Sequence, residues 1–294
     1  MLQQAVARAA GDPAATDSSG QAMVWHHHLS VLGVPVSALT MEDLLAIVDG
    51  WIERRERHYI CTLDVHALIE SQSAPDVQAV YQSASIVAPD GMPLVWLLRR
   101  AGFRFADRLC GPDLMPALFE RSQRGGWRHF LYGSSEATLA LMKVNLAARF
   151  PDANIVGCES PPYRELTPRE MSDTARRLND LSPDIVWVGL GAPKQDRWIA
   201  DYRSKLNAPV LIGVGAAFDM IAGTIKRAPR FVQQSGFEWA FRVAQEPGRL
   251  WKRYLISNSR FAMLMLDERL RQLLDRRPVD ASGGSSGSHQ ERSS

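Results

Sequence analysis

The chain is predicted to be an α/β protein: a Rossmann-like, mostly parallel sheet with helices on both faces, followed by a C-terminal helical appendage. Three observations predict it. Short apolar runs alternate with amphipathic stretches through the middle of the sequence. The runs are almost continuously apolar, as strands covered on both faces require. Beyond Pro229 the strand pattern stops and only helical periodicity remains.

Taken in order, residues 58–62, 85–88, 129–132, 154–157, 185–188 and 210–214 read as buried strands, and the segments between them as helices. Thr40 stands three residues before Asp43 and is followed by apolar Leu44, Leu45, Ile47 and Val48, an N-cap leading into a helical stripe. Thr167-Pro168 supplies a cap with proline at the first helical position, and Glu170 sits three residues after the cap. The expected organisation is a disordered arm over 1–28, an α/β domain over 29–228, a basic helical appendage over 229–276 and a disordered Ser/Gly-rich tail over 277–294. His26-His27-His28 reads as a polar junction, because three adjacent imidazoles cannot all face one ion.

A length of 294 residues allows a substantial core. Lys and Arg number 34 against 32 Asp and Glu, so global charge predicts no nucleic-acid partner. The positive charge is concentrated late: residues 226–260 hold eight basic side chains against only Glu238 and Glu246. Cys61, Cys110 and Cys158 are far apart and odd in number, which fits a reducing cytoplasm and neither a disulfide framework nor a zinc knuckle. The start lacks the pattern of a secretory signal. The longest apolar stretch, 208–223, is too short to span a bilayer and is interrupted by Asp219, so a soluble or peripheral protein is expected.

In a parallel sheet, ligands gather at the C-terminal ends of the strands. That rule brings Thr62 and Asp64, Asp90, Gly133, the block from Gly189 to Asp196, and Gly215 to Asp219 to one rim. A carboxylate such as Asp90 on a strand-end loop suits general-base work, and Gly91 lets the backbone turn beside a ligand. Pro89-Asp90-Gly91 equally suits a turn whose Asp caps the helix opening near Met92. Thr62 has the hydroxyl to bind a sugar or phosphate, or to act as a strand residue capping the next helix. Gly189-Leu190-Gly191-Ala192-Pro193-Lys194 departs from a dinucleotide fingerprint at its sixth position, which disfavours a nicotinamide cofactor. The glycines, Lys194 and the helix start near Pro193 can instead hold phosphate or sugar hydroxyls. Nowhere do two aspartates stand Asp-x-Asp, so metal-independent chemistry with no cofactor is expected.

The ordered set Thr62-Leu63-Asp64, Pro89-Asp90-Gly91, Arg108-Leu109-Cys110-Gly111-Pro112-Asp113, Gly189 to Asp196, Glu238-Trp239 and Glu246-Pro247 resembles the WecG/TagA/CpsF group of bacterial glycosyltransferases. The resemblance runs from about Val31 to about Leu255 and rests on the order of the blocks. It implies an inverting transferase that moves a sugar from a UDP-sugar to an undecaprenyl-diphosphate-linked saccharide, in synthesis of an exopolysaccharide or wall polymer at the inner membrane face. Asp90 is then the base, and Thr62 and Gln195 position the donor. Arg108, within its Gly111 and Asp113 block, acts on phosphate. Gly133, Gly189, Gly191, Pro193, Asp196, Gly215 and Asp219 complete the substrate rim. Arg242, Arg249 and Arg253 meet the acceptor diphosphate or the membrane. The family pattern has Asn where this chain has Asp64, and Gln-Glu where it has Gln195-Asp196; the first departure leaves the donor open among glucose, N-acetylmannosamine and its uronic acid. A non-catalytic membrane-associated assembly factor and a nucleotide-linked oxidoreductase remain as alternatives, and the sequence does not give the oligomeric state.

Overall fold

The computed structural model describes residues 26–274. The chain opens with an antiparallel hairpin, β1 (His28–Val31) and β2 (Val34–Ser37), that the sequence reading left unassigned. Its turn residues Leu32 and Gly33 both have positive φ, 50° and 81°, the geometry that matches the twist of a tight hairpin. The arm expected over 1–28 is therefore corrected at its end. His26 hydrogen-bonds Ser37 Oγ at 2.7 Å and His27 stacks on Phe103, so these imidazoles are a packed polar junction. The remainder of that arm, and the tail from 275 onward, lie outside the described residues.

Six parallel strands form the sheet: β3 (His58–Leu63), β4 (Ile86–Pro89), β5 (Arg128–Gly133), β6 (Asn154–Glu159), β7 (Ile185–Gly189) and β8 (Val210–Gly213), in the order β4-β3-β8-β7-β5-β6. Strand side chains alternate between faces. Along β7, Val186 and Val188 enter one core cluster, while Ile185 and Trp187 enter the other. On the first face lie α2 (Val65–Ser71), α3 (Pro75–Gln82), α4 (Met92–Arg100), α7 (Pro168–Asp180) and α8 (Lys194–Arg203). On the second lie α1 (Met41–Glu53), α5 (Gly111–Gly125), α6 (Glu136–Arg149) and α9 (Ala217–Ala222). Both sheet faces being covered explains why the strands read as continuous apolar runs.

Both anticipated capping boxes are formed. Thr40 Oγ1 accepts from Asp43 N at 3.1 Å while the Asp43 carboxylate accepts from Thr40 N at 3.0 Å, and Thr167 with Glu170 repeats the arrangement at the start of α7. After Pro229 come only helices: α10 (Arg230–Gln234), α11 (Glu238–Gln245) and the long α12 (Pro247–Leu274). Leu250, Tyr254 and Ser257 are buried at helical spacing, and α12 packs against α2, where His66 Nδ1 and Ser257 Oγ are 2.7 Å apart. Its outer side leaves Trp251, Leu255, Ile256, Met263 and Leu266 exposed. Among the described residues no helix is long and apolar enough to cross a membrane.

Candidate active site

Because all six strands run the same way, their C-terminal loops open on one rim, and α11 and α12 reach over it. The space enclosed is a cleft of ≈ 1160 Å³. Of the residues anticipated from sequence, Thr62, Asp64, Asp90, Arg108, Gly189, Gly191, Pro193, Gln195, Gly215, Asp219, Arg242 and Arg253 line it. The loop from Pro161 to Leu166, after β6, forms part of the wall; there Lys194 Nζ lies 5.8 Å from the centre of the Tyr163 ring.

Asp90 follows the last residue of β4, and its amide donates to Leu63 O at 2.9 Å across the β3–β4 ladder. Gly91, not Asp90, is the N-cap of α4, so the capping role that Pro-Asp-Gly equally suited is not the one adopted. The Asp90 carboxylate takes no hydrogen bond from any described residue. Burial in the cleft and the adjacent negative charge of Asp64 push it up to about 8, against the pull of Arg108 and Arg242. A carboxylate held at the floor of a cleft without a partner can exchange a proton with a ligand near neutral pH.

Asp64 stands beside it. Leu63 pairs with Pro89 in register, so Asp64 and Asp90 are the next residues out on neighbouring strands. Asp64 is also the N-cap of α2, its Oδ1 accepting from Ala67 N at 2.7 Å. Thr62, two residues back along β3, is buried, and its hydroxyl donates to Gly213 O at 2.8 Å, tying β3 to β8. Gln195 is likewise buried beneath the rim, its Oε1 accepting from Gly215 N at 2.9 Å and thereby shaping the turn after β8. Both side chains build the floor through the protein's own hydrogen bonds.

Arg108 lines the cleft, but its guanidinium is engaged. It pairs with Glu238 of α11, lies 3.3 Å from Gln233 Oε1 and donates to Cys110 Sγ at 3.2 Å. This contact fastens the C-terminal helices to the rim. Arg242 and Arg253, by contrast, have no carboxylate within ion-pair distance among the described residues, and Arg253 Nε is buried without a hydrogen-bond partner. Two guanidiniums left in this condition in the cleft that holds Asp90 make it suited to a polyanion. The Arg249 side chain lies outside the described residues.

Four anticipated residues do not line the cleft. Asp196 is wholly buried under α8, where the Tyr81 hydroxyl donates to Oδ2 at 2.9 Å; burial pushes its carboxyl up to about 7, against that hydrogen bond. The reason is helical phase: α8 begins at Lys194, and its next two side chains turn towards the sheet. Asp113 is gripped by Arg227 through two 2.6 Å hydrogen bonds, with Cys110 donating to it at 2.9 Å. Gly111 is buried in close packing, where an added Cβ would come within 2.7 Å of Val214 O. Gly133, at φ 119°, passes against the backbone of Gly189, which leaves the following Ser134 to line the cleft. Sequence reasoning assigned no site role to Glu238, His66 or Trp239, which also line it. Glu238-Trp239 was visible as a motif, and His66 lies two residues from Asp64; their use depends on how α11 and α12 fold back.

Residues 29–275 match the model described as the glycosyl transferase WecG/TagA/CpsF family. The chain belongs to this family. As a WecG/TagA/CpsF glycosyltransferase it is similar to an N-acetylglucosaminyldiphosphoundecaprenol N-acetyl-beta-D-mannosaminyltransferase of Bacillus spizizenii, 29% identical over 205 residues that cover 70% of this chain and 77% of the relative. A protein of the same description from Bacillus subtilis is 28% identical over 227 residues, covering 74% of this chain and 86% of that relative. The family membership accounts for the alternation of rim motifs seen in the sequence, and it makes the chain a transferase of sugars.

Proposed function

We propose that this glycosyltransferase moves a sugar from a UDP-sugar to a hydroxyl of a saccharide carried on polyprenyl diphosphate, with inversion at the anomeric carbon and with Asp90 as base. One observation carries the reading: an unpartnered carboxylate, Asp90, shares a cleft with Arg242 and Arg253, two guanidiniums without carboxylate partners among the described residues. A base and a diphosphate clamp are the two elements that such a transfer needs. The relatives' names, which pair a mannosaminyl group with a diphosphoundecaprenol acceptor, support the same substrate classes.

In the transfer, Asp90 takes the proton of the acceptor hydroxyl as its oxygen forms a bond to C1 of the donor sugar. The bond from C1 to the diphosphate breaks on the opposite face, and the electron pair leaves with UDP. Arg242 and Arg253 hold the acceptor's diphosphate, and Lys194 meets charge on the donor side of the cleft. On the donor side Lys194 supplies charge neutralisation for the departing diphosphate that a divalent ion would otherwise give, and we assign the reaction as metal-independent on that basis. Thr62 and Gln195 act as the scaffold of the floor. The exposed Trp251, Leu255 and Ile256 on α12, close to the exposed basic Lys252, suit contact with an anionic membrane surface, which brings the cleft to a lipid-borne acceptor at the inner face of the membrane.

The test is incubation of the purified full chain, with and without EDTA, with a panel of UDP-sugars and a short polyprenyl-diphosphate-GlcNAc acceptor. Lipid products are then weighed by mass spectrometry. One added sugar, formed equally in EDTA, is the expected result. Release of UDP without any lipid product removes the assigned acceptor class, and dependence on added magnesium removes the metal-independent assignment.

A further inference from the structure

Asp64 offers the cleft something its capping role does not consume. One oxygen, Oδ1, is occupied by Ala67 N at 2.7 Å, and the second, Oδ2, accepts from no described residue although the side chain lines the cleft. The β3–β4 register sets this carboxylate next to Asp90, one strand away. No arginine or lysine lies within ion-pair distance of it among the described residues, so its charge is not cancelled locally. The α2 cap also fixes its position, since a side chain anchored to the helix backbone cannot swing away from a ligand.

We infer that Asp64 is a specificity-determining residue that accepts a hydrogen bond from a hydroxyl or amide N–H of the transferred sugar and so restricts the donor to uncharged sugars, excluding uronic acids. The inference rests on the proposed function, because it assumes that Asp90 faces the reacting C1 and that the transferred ring therefore lies within one sugar's width of Asp64. An ionised carboxylate only accepts hydrogen bonds. A uronate presents a like charge to it, and such a juxtaposition lowers transfer by on the order of 10²-fold.

The experiment compares kcat/KM of the full-length wild type and Asp64→Asn for UDP-glucose, UDP-N-acetylmannosamine and UDP-glucuronate. Each donor is run with polyprenyl-diphosphate acceptors bearing two different sugars. Asparagine caps a helix as well as aspartate does, so thermal unfolding is expected to be unchanged. The wild type is expected to favour the neutral donors by about 10²-fold, and Asp64→Asn to narrow that ratio by at least about tenfold. Efficient use of the uronate by the wild type overturns the inference. So does an equal effect of the substitution on all three donors, or an effect that follows the acceptor sugar instead of the donor. In each of those cases transfer itself persists. Absence of transfer from every donor by folded wild-type protein instead overturns the proposed function, and this inference with it.

Discussion

Replacing Asp90 by Asn is expected to lower turnover sharply and stabilise the protein together. The carboxyl ordinarily titrates near 3.8 but is held up to about 8 in the folded cleft, burial being the larger cause and the Asp64 charge the next. Between those values the folded state binds more protons than the unfolded chain, so the contribution of Asp90 to stability falls as pH rises through that window. The full difference sets a ceiling of roughly 5–6 kcal/mol at about 1.4 kcal/mol per pH unit. The cleft is open to water and Arg108 and Arg242 act in the opposite direction, so a realised gain of about 2 kcal/mol for Asn above pH 8 is the working figure. For a chain of this size that raises Tm by roughly 4–8 °C. The assay is thermal unfolding of wild type and Asp90→Asn at several pH values from 4 to 8.5, alongside sugar transfer. The gain should be absent near pH 4 and greatest above pH 8, while turnover falls by roughly 10²-fold or more. A pH-independent difference in Tm, or near-normal turnover, refutes the assignment of Asp90 as a buried, strained base.

Further expectations concern the same cleft. For the wild type, kcat/KM for transfer should rise with pH and level off above about 8, because at pH 7 only about a tenth of Asp90 is ionised; a flat profile from pH 6 to 9 contradicts this. Arg253→Ala removes a guanidinium with no carboxylate partner and should reduce kcat/KM for the lipid acceptor by roughly 10–100-fold, as loss of charge-assisted hydrogen bonds does, with little change in Tm. A large fall in Tm would mark a structural role instead. Gly111→Ala drives a methyl towards Val214 O and should lower stability by about 1–3 kcal/mol, read from the urea midpoint.

Five strands were legible because both faces of the sheet are buried along them, which writes each as an apolar run regardless of its neighbours; β6, expected to be a buried strand, lies at the sheet edge with no buried residue and was legible only from Ile155 and Val156. The two capping boxes were legible because Thr40 with Asp43 and Thr167 with Glu170 satisfy helix ends through contacts three residues apart. The hairpin of β1 and β2 was missed. Its strands are four residues each, and its inner face is defined only by packing, with Ser37 Oγ accepting from Val87 N at 3.0 Å.

By itself the sequence determined the α/β class, the rim on which Thr62, Asp64, Asp90 and the Gly189 block collect, and the family, since each depends on local pattern and on strand polarity. What only the tertiary structure decided is which of those side chains face a ligand. Gln195 and Asp196 turn under the rim because α8 enters the sheet in that phase, Asp113 is claimed by Arg227, and Arg108 is claimed by Glu238 from 130 positions away. Arg242 and Arg253 are left without carboxylate partners among the described residues. Partners so distant along the chain meet only when the segment after β8 folds back over the rim, and the sequence carries no short-range signal of where those contacts will fall.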